Sequence, residues 1–228
     1  HRHHGRPVTE FRLQQAALTV SDHPILHDLD LSIRSGERVA LLGESGAGKT
    51  TLLRALREQQ PDRVAWCPQQ PGLVPVLSVF HNLYMGRLDH YATAYNLLNL
   101  IRPTPARRRE VTKLADRLGL GDRLWTPVEQ LSGGQQSRVN LGRALYQQRP
   151  IFIGDEPVSA IDERQGADLL ALVCEQHETV VLALHNIDQA LAHCNRIIGI
   201  RAGRVAFDRP SDQLTSADIK PLYPSDAS

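Results

Sequence analysis

Hydrophobic and polar residues alternate near the start of the chain. Leu29, Leu31 and Ile33 fall on one side of a two-residue period, Asp28, Asp30 and Ser32 on the other, and Phe11 and Leu13 open the same pattern upstream. This predicts half-buried antiparallel strands. Ser35-Gly36 supplies a turn, and Arg38 to Leu42 is a short apolar strand running into a glycine-rich loop. Thr50 to Arg57 then reads as helix and Val64 to Cys67 as a second short strand. From about Gly86 to Gln130 the spacing turns helical, through Leu97, Leu98 and Ile101 and then Val111, Leu114, Leu118 and Leu120, with Pro103 and Pro105 dividing two helices. Beyond Leu131 the elements alternate. A helix from about Gln135 to Gln148 precedes the apolar strand Ile151-Phe152-Ile153, and the helix Arg164 to Glu175 precedes the strand Thr179 to Leu184. A helix from Ile187 to His193 and two strands, Arg196 to Arg201 and Val205 to Asp208 joined by Ala202-Gly203, complete the pattern.

Strands alternating with helices imply a mostly parallel sheet covered on both faces. The expected class is α/β, with a small antiparallel β subdomain at the N-terminal end and an inserted helical lobe. One domain over 11–224 is expected, its lobe at about 80–135, with a flexible extension over 1–10 and a tail over 225–228.

Composition narrows the function. The 228 residues are 41% hydrophobic, enough for a core, and 26 Lys and Arg nearly cancel 25 Asp and Glu to leave +1. That balance argues against a chain that coats nucleic acid, which needs a concentrated basic field. Arg107, Arg108 and Arg109 form the dense basic run, at the start of a helix whose apolar face holds Val111, Leu114 and Leu118, so they read as a solvated face. Cys67, Cys174 and Cys194 are odd in number and far apart, as expected of reduced thiols in the cytosol. No apolar run approaches the roughly 20 residues that span a bilayer, and no charged-then-apolar leader opens the chain. Work at a membrane is therefore expected to be peripheral. His1, His3 and His4 read as a frayed end rather than a metal site.

Gly43-Glu44-Ser45-Gly46-Ala47-Gly48-Lys49-Thr50 is a full G-x-x-x-x-G-K-[ST], with a strand before it and a helix after. Glycines let the backbone curl into a nest of N–H groups aimed at phosphate oxygens, and the following helix adds its dipole. Lys49 is expected on the β- and γ-phosphates and the Thr50 hydroxyl on Mg²⁺, with Thr51 also beside the nucleotide. The motif alone points to a nucleotide, since kinases, GTPases and helicases share it. A buried apolar strand ending in Asp155-Glu156 is costly unless the acids meet a cation or a polarised water. Asp155 is the candidate for Mg²⁺ and Glu156 for orienting the attacking water. Leu131-Ser132-Gly133-Gly134-Gln135-Gln136 is a second anion-reading helix start. One chain has no need of two cradles for one ATP, so Ser132 and Gly134 of one copy are expected to cap the phosphate held by Lys49 of another.

Over about 11–224 the chain resembles the ABC transporter ATPases, in which LSGGQ is the signature. The resemblance implies a P-loop NTPase core, ATP and Mg²⁺ as ligands, and ATP hydrolysis coupled to transport. It implies ATP contacts at Gly43 to Thr51 and at Ser132, Gly133, Gly134 and Gln135, with Mg²⁺ at Thr50, Gln69 and Asp155. Lys49, Glu156, Gln69 and His185 take the catalytic roles: Gln69 resembles the loop glutamine that senses Mg²⁺ and the permease, and His185 the switch histidine. Ser159-Ala160-Ile161-Asp162 resembles the loop that meets the partner subunit. The implied partners are a second ATPase subunit forming a homodimer, an integral-membrane permease and, indirectly, a solute-binding protein, without nucleic acid, at the cytoplasmic face of the inner or plasma membrane. Leu73 to Val79, Asn82, Gly86-Arg87-Leu88 and Arg196 to Asp208 resemble the phosphonate-type importers. The alternatives are an exporter or lipoprotein-extraction motor, a soluble ABC ATPase working on DNA or the ribosome, or a subunit that binds ATP without hydrolysing it. Two departures stand out. Only His23 offers a ring where the family stacks adenine, and Lys49 and Gln69 are closer together than is usual, which predicts a trimmed antiparallel subdomain.

Overall fold

The computed structural model describes residues 6–90 and 93–224. In chain order the strands are β1 (Thr9–Val20), β2 (His23–Arg34), β3 (Arg38–Leu42), β4 (Val64–Cys67), β5 (Ile151–Asp155), β6 (Thr179–Ala183), β7 (Arg196–Arg201) and β8 (Arg204–Pro210). The α-helices are α1 (Lys49–Gln59), α2 (Val79–Tyr84), α3 (Thr93–Ile101), α4 (Pro105–Arg117), α5 (Gly133–Tyr146), α6 (Glu163–Gln176), α7 (Ile187–His193) and α8 (Ser216–Ile219). Thr9 and Glu10, expected in a flexible extension, already belong to β1, while His1, His3, His4 and the expected tail over 225–228 lie outside the described residues.

The chain forms two compact units. The first takes in the chain up to Val64, Arg149–Glu156 and the chain from Ala171 onward; the second takes in Ala65–Gln148 and Pro157–Leu170.

In the first unit, β5, β6, β3, β7 and β8 lie side by side in that order. β5 runs parallel to β6, β6 to β3 and β3 to β7, whereas β8 returns antiparallel. Every residue of β5 and β6 is buried, as continuous apolar runs in a parallel sheet require. Each buried Val, Leu or Ile there contributes about 1.5–3 kcal/mol. The antiparallel subdomain is the two-stranded sheet β1–β2. Leu29, Leu31 and Ile33 are buried while Asp28, Asp30 and Ser32 are not, the alternation the sequence predicts. No third strand pairs with this sheet among the described residues. Side-chain amides from the end of α1 reach β1 instead: Gln59 Nε2 donates to the Arg12 carbonyl at 3.0 Å and its Oε1 accepts the Arg12 N–H at 3.2 Å. Gln60 donates to the Glu10 carbonyl in the same manner. The tight turn from Gln60 to Val64 has no room for a longer excursion.

The second unit is largely helical. Ser78 caps α2, its Oγ accepting the His81 N–H at 3.2 Å. Pro105 opens α4 at a position whose N–H has no helical acceptor, which suits proline. Asn82, fully buried, ties down the preceding loop by accepting the Val74 N–H and donating to the carbonyls of Val74, Leu77 and Ser78. All three cysteines are buried, and none of them forms a disulfide.

Candidate active site

Three neighbouring parallel strands, β3, β6 and β5, bring their carboxyl ends to one edge of the first unit's sheet, where open α/β sheets bind ligands. Leu41 and Asp155 both register with Ala183, so the three ends are level. Gly43 follows β3, Glu156 follows β5, and His185 sits exposed at the bend after β6.

The loop after β3 is shaped by two glycines. Gly43 passes so close to the Ile200 carbonyl oxygen that no side chain fits. Gly48 has φ 104°, the left-handed region, and a Cβ there would lie 2.8 Å from Leu26 Cδ2. It is the N-cap of α1, so Lys49 opens the helix. Ser45 and Gly46 are exposed, while Glu44, Ala47, Thr50 and Thr51 are half-buried. Lys49 is 6% exposed and donates from Nζ to the Gly43 carbonyl at 2.6 Å. Burial holds its pKa below the ordinary lysine value, against the opposing pull of Glu156 and Asp155.

Thr50 Oγ1 donates to Asp155 Oδ2 at 2.6 Å, joining the start of α1 to the end of β5. Asp155 is 3% exposed. Burial raises its pKa and the neighbouring Glu156 adds to the rise, while the Thr50 hydrogen bond, Lys49 and Arg54 oppose it. A buried acid held in that state is poised to receive positive charge. Glu156 has φ 50°, a left-handed conformation that costs a non-glycine residue about 1–3 kcal/mol. Its N–H donates to the Ala183 carbonyl at 2.9 Å, continuing the ladder while the chain turns away.

The first unit thus gathers Gly43 to Thr51, Asp155, Glu156 and His185 at one sheet edge. Gln69, Ser132 to Gln135 and Ser159 to Asp162 belong to the second unit. Gln69 is exposed. Ser132 caps α5 in a reciprocal box: its Oγ accepts the Gln135 N–H at 3.2 Å and the Gln135 side chain accepts the Ser132 N–H at 3.0 Å. Gly133 has open space beside it, and a Cβ on Gly134 would come within 3.1 Å of the Ala160 carbonyl. Asp162 Oδ1 accepts the Gln165 N–H at 3.0 Å, starting α6.

Sequence reasoning missed Tyr223, whose hydroxyl accepts the Gly43 N–H at 3.1 Å. A single aromatic in a C-terminal segment carries no spacing that could have found it. His23 is exposed at the first residue of β2, and a cavity beside the glycine loop is lined by Ile25, Glu44, Gly46, Ile200, Gly203 and Leu222.

With the loop, the acidic pair and the glycine-capped helix in place, residues 26–159, more than half the chain, match the ABC transporter family. The chain belongs to that family. It is an ABC-type ATPase, the ATP-binding subunit of such a transporter. The phosphonates import ATP-binding protein PhnC of Pseudomonas entomophila (strain L48) is 39% identical, over 93% of this chain and 90% of its own. PhnC 1 of Pseudomonas aeruginosa PAO1 is 37% identical, over 87% of this chain and 84% of its own. Among solved structures, the dimeric bacterial ABC transporter cassette MJ0796 superposes with a TM-score of 0.75 at 26% identity, over 88% of this chain and 98% of that one. No helix among the described residues is long and apolar enough to cross a membrane.

Proposed function

We propose that the chain is the motor of an importer for phosphonates or a related oxyanion. Two copies sandwich two ATP molecules against an integral-membrane permease, at the cytoplasmic face of the inner or plasma membrane. The observation that carries this reading is the start of α5. Ser132 and Gly133 are exposed, and Gly133 has open space beside it, so this N-terminus is available to a phosphate held by another copy. The import of phosphonates rests on the names of the PhnC relatives, and the pairing on the dimeric form of MJ0796.

The residues divide the work. The nest from Gly43 to Gly48 binds the phosphates through backbone N–H groups, and Lys49 carries positive charge to the β- and γ-phosphates. Thr50 and Asp155 suit Mg²⁺: a hydroxyl and a carboxylate oxygen lie 2.6 Å apart, and no cluster of three His, Cys, Asp or Glu exists among the described residues. Such a sparse all-oxygen set fits an ion that keeps its waters and the nucleotide's own oxygens; the role of Gln69 at the ion rests on the family resemblance. When bound, Mg²⁺ neutralises charge on the transferring phosphoryl group. Glu156 orients and polarises the attacking water, and His185 holds the γ-phosphate. Ser132, Gly133, Gly134 and Gln135 of the facing copy close the site. In the second unit, Leu97, Leu98 and Ile101 of α3 are large apolar residues between 52% and 77% exposed, which suits contact with a permease.

The experiment is size-exclusion chromatography of Glu156→Gln with ATP. We expect turnover about 10²–10⁴-fold below wild type, as for loss of a general base, together with an ATP-dependent dimer. Adding Ser132→Arg to the same chain should abolish the dimer while leaving ATP bound to the monomer. A Glu156→Gln protein that turns over at the wild-type rate, or a double variant that still pairs, overturns the sandwich.

A further inference from the structure

Both polar groups of Gly43 are engaged. Its N–H donates to Tyr223 Oη at 3.1 Å and its carbonyl accepts from Lys49 Nζ at 2.6 Å. The α-carbon between them presses on the Ile200 carbonyl, where no side chain fits. Lys49 has three ammonium protons, so the one on the Gly43 carbonyl sets the direction of the stem and leaves two for phosphate. Whatever holds Gly43 therefore aims Lys49.

The segment carrying Tyr223 is itself fixed. Thr215 caps α8 reciprocally with Asp218, whose Oδ2 accepts the Thr215 N–H at 2.8 Å. Ile219 is fully buried and Leu222 is 4% exposed. Tyr223 follows, half-buried, its hydroxyl withdrawn from water and within electrostatic reach of Glu156 and Glu44. Among the described residues its oxygen makes one hydrogen bond, to Gly43. A half-buried phenol that spends its hydroxyl on the first glycine of a phosphate loop does more than fill space.

We propose that Tyr223 is a positioning residue for nucleotide binding. It locks the Gly43 backbone so that the Gly43 carbonyl presents Lys49 to the phosphates, and it thereby makes the C-terminal segment part of the ATP site. Neither the loop motif nor the family match, which ends at residue 159, reaches this residue.

Tyr223→Phe keeps the ring and removes only the oxygen. In the isolated subunit, ATP should bind about two- to tenfold more weakly, the scale of one neutral hydrogen bond. The KM for ATP should rise by the same factor while kcat at saturating ATP stays within about twofold. The Gly43 amide resonance should move and its exchange with solvent should quicken. Wild-type affinity in the folded variant overturns the proposal. Weaker binding with an unmoved Gly43 amide also overturns it, because ring packing then carries the effect. If the variant loses its fold, the wild type decides: a Gly43 amide that exchanges slowly without nucleotide supports the bond, and one that exchanges as freely as Ser45 refutes it. Every readout uses the isolated subunit, so failure of the transport reading leaves this result untouched.

Discussion

The parallel sheet of the first unit and helix α3 of the second bury opposite kinds of side chain. β5 and β6 are buried along their length and apolar between their ends, with polar groups at Thr179 where β6 begins and at Asp155, Glu156 and His185 where the strands finish. In α3 the amides Asn96 and Asn99 are buried, while Leu97, Leu98 and Ile101 are 58%, 52% and 77% exposed. Asn99 Oδ1 accepts the Thr104 N–H at 2.8 Å and Nδ2 donates to the Tyr95 carbonyl at 2.9 Å. Asn96 accepts from the Tyr84 hydroxyl at 2.9 Å and donates to the Leu88 carbonyl. In the sheet the ladder satisfies the backbone, so side chains need only exclude water. Around α3 the chain breaks at Pro103 and Pro105, the backbone has loose ends, and amides must meet them.

Three substitutions would break or sharpen that contrast. Ile153→Ala in β5, fully buried, should cost about 2–5 kcal/mol through lost contact and a cavity. A thermal or denaturant midpoint close to wild type would deny the sheet its dry core. Asn99→Leu adds apolar bulk at a buried site yet should still destabilise by about 1–3 kcal/mol, since it strands the Thr104 N–H. A gain in urea midpoint would show that α3 is held by burial after all. The smallest effect on stability belongs to Asp155. Its folded pKa lies above the ordinary 3.8, so between those values the folded protein binds more protons than the unfolded chain. Stability of the nucleotide-free protein therefore falls as pH rises through that window and is level above it. Asp155→Asn should remove that slope, raise the nucleotide-free melting temperature at pH 7 and abolish catalysis. An unchanged pH profile would mean the carboxyl carries no burial penalty.

The same contrast explains what the sequence made legible. β3, β5, β6 and β7 were readable because short apolar runs between turn residues have one consistent placement, and β8 because Ala202-Gly203 turns the chain back beside β7. The motifs at their ends were readable because glycines and paired acids are scarce at such junctions. The helical spacing of Leu97, Leu98 and Ile101 located a helix but not its buried side, because periodicity registers hydrophobicity and not the unmet N–H of Thr104. α2 escaped notice because Val79 to Tyr84 is too short for a period to show. The shortened span between Lys49 and Gln69 predicted a reduced antiparallel sheet, which is what β1 and β2 form. Tyr223 lay out of reach for another reason. Its partner is a backbone N–H 180 residues earlier, and main-chain groups leave no trace in residue identity.

The amides of Gln59 and Gln60 have a consequence for how the protein behaves when crowded. Two strands standing alone would offer their outer rungs to any neighbouring chain. By answering Arg12 and Glu10 from its own helix, the subunit fills those rungs with groups that cannot be extended further. Ribbon-to-ribbon growth finds no template at that point.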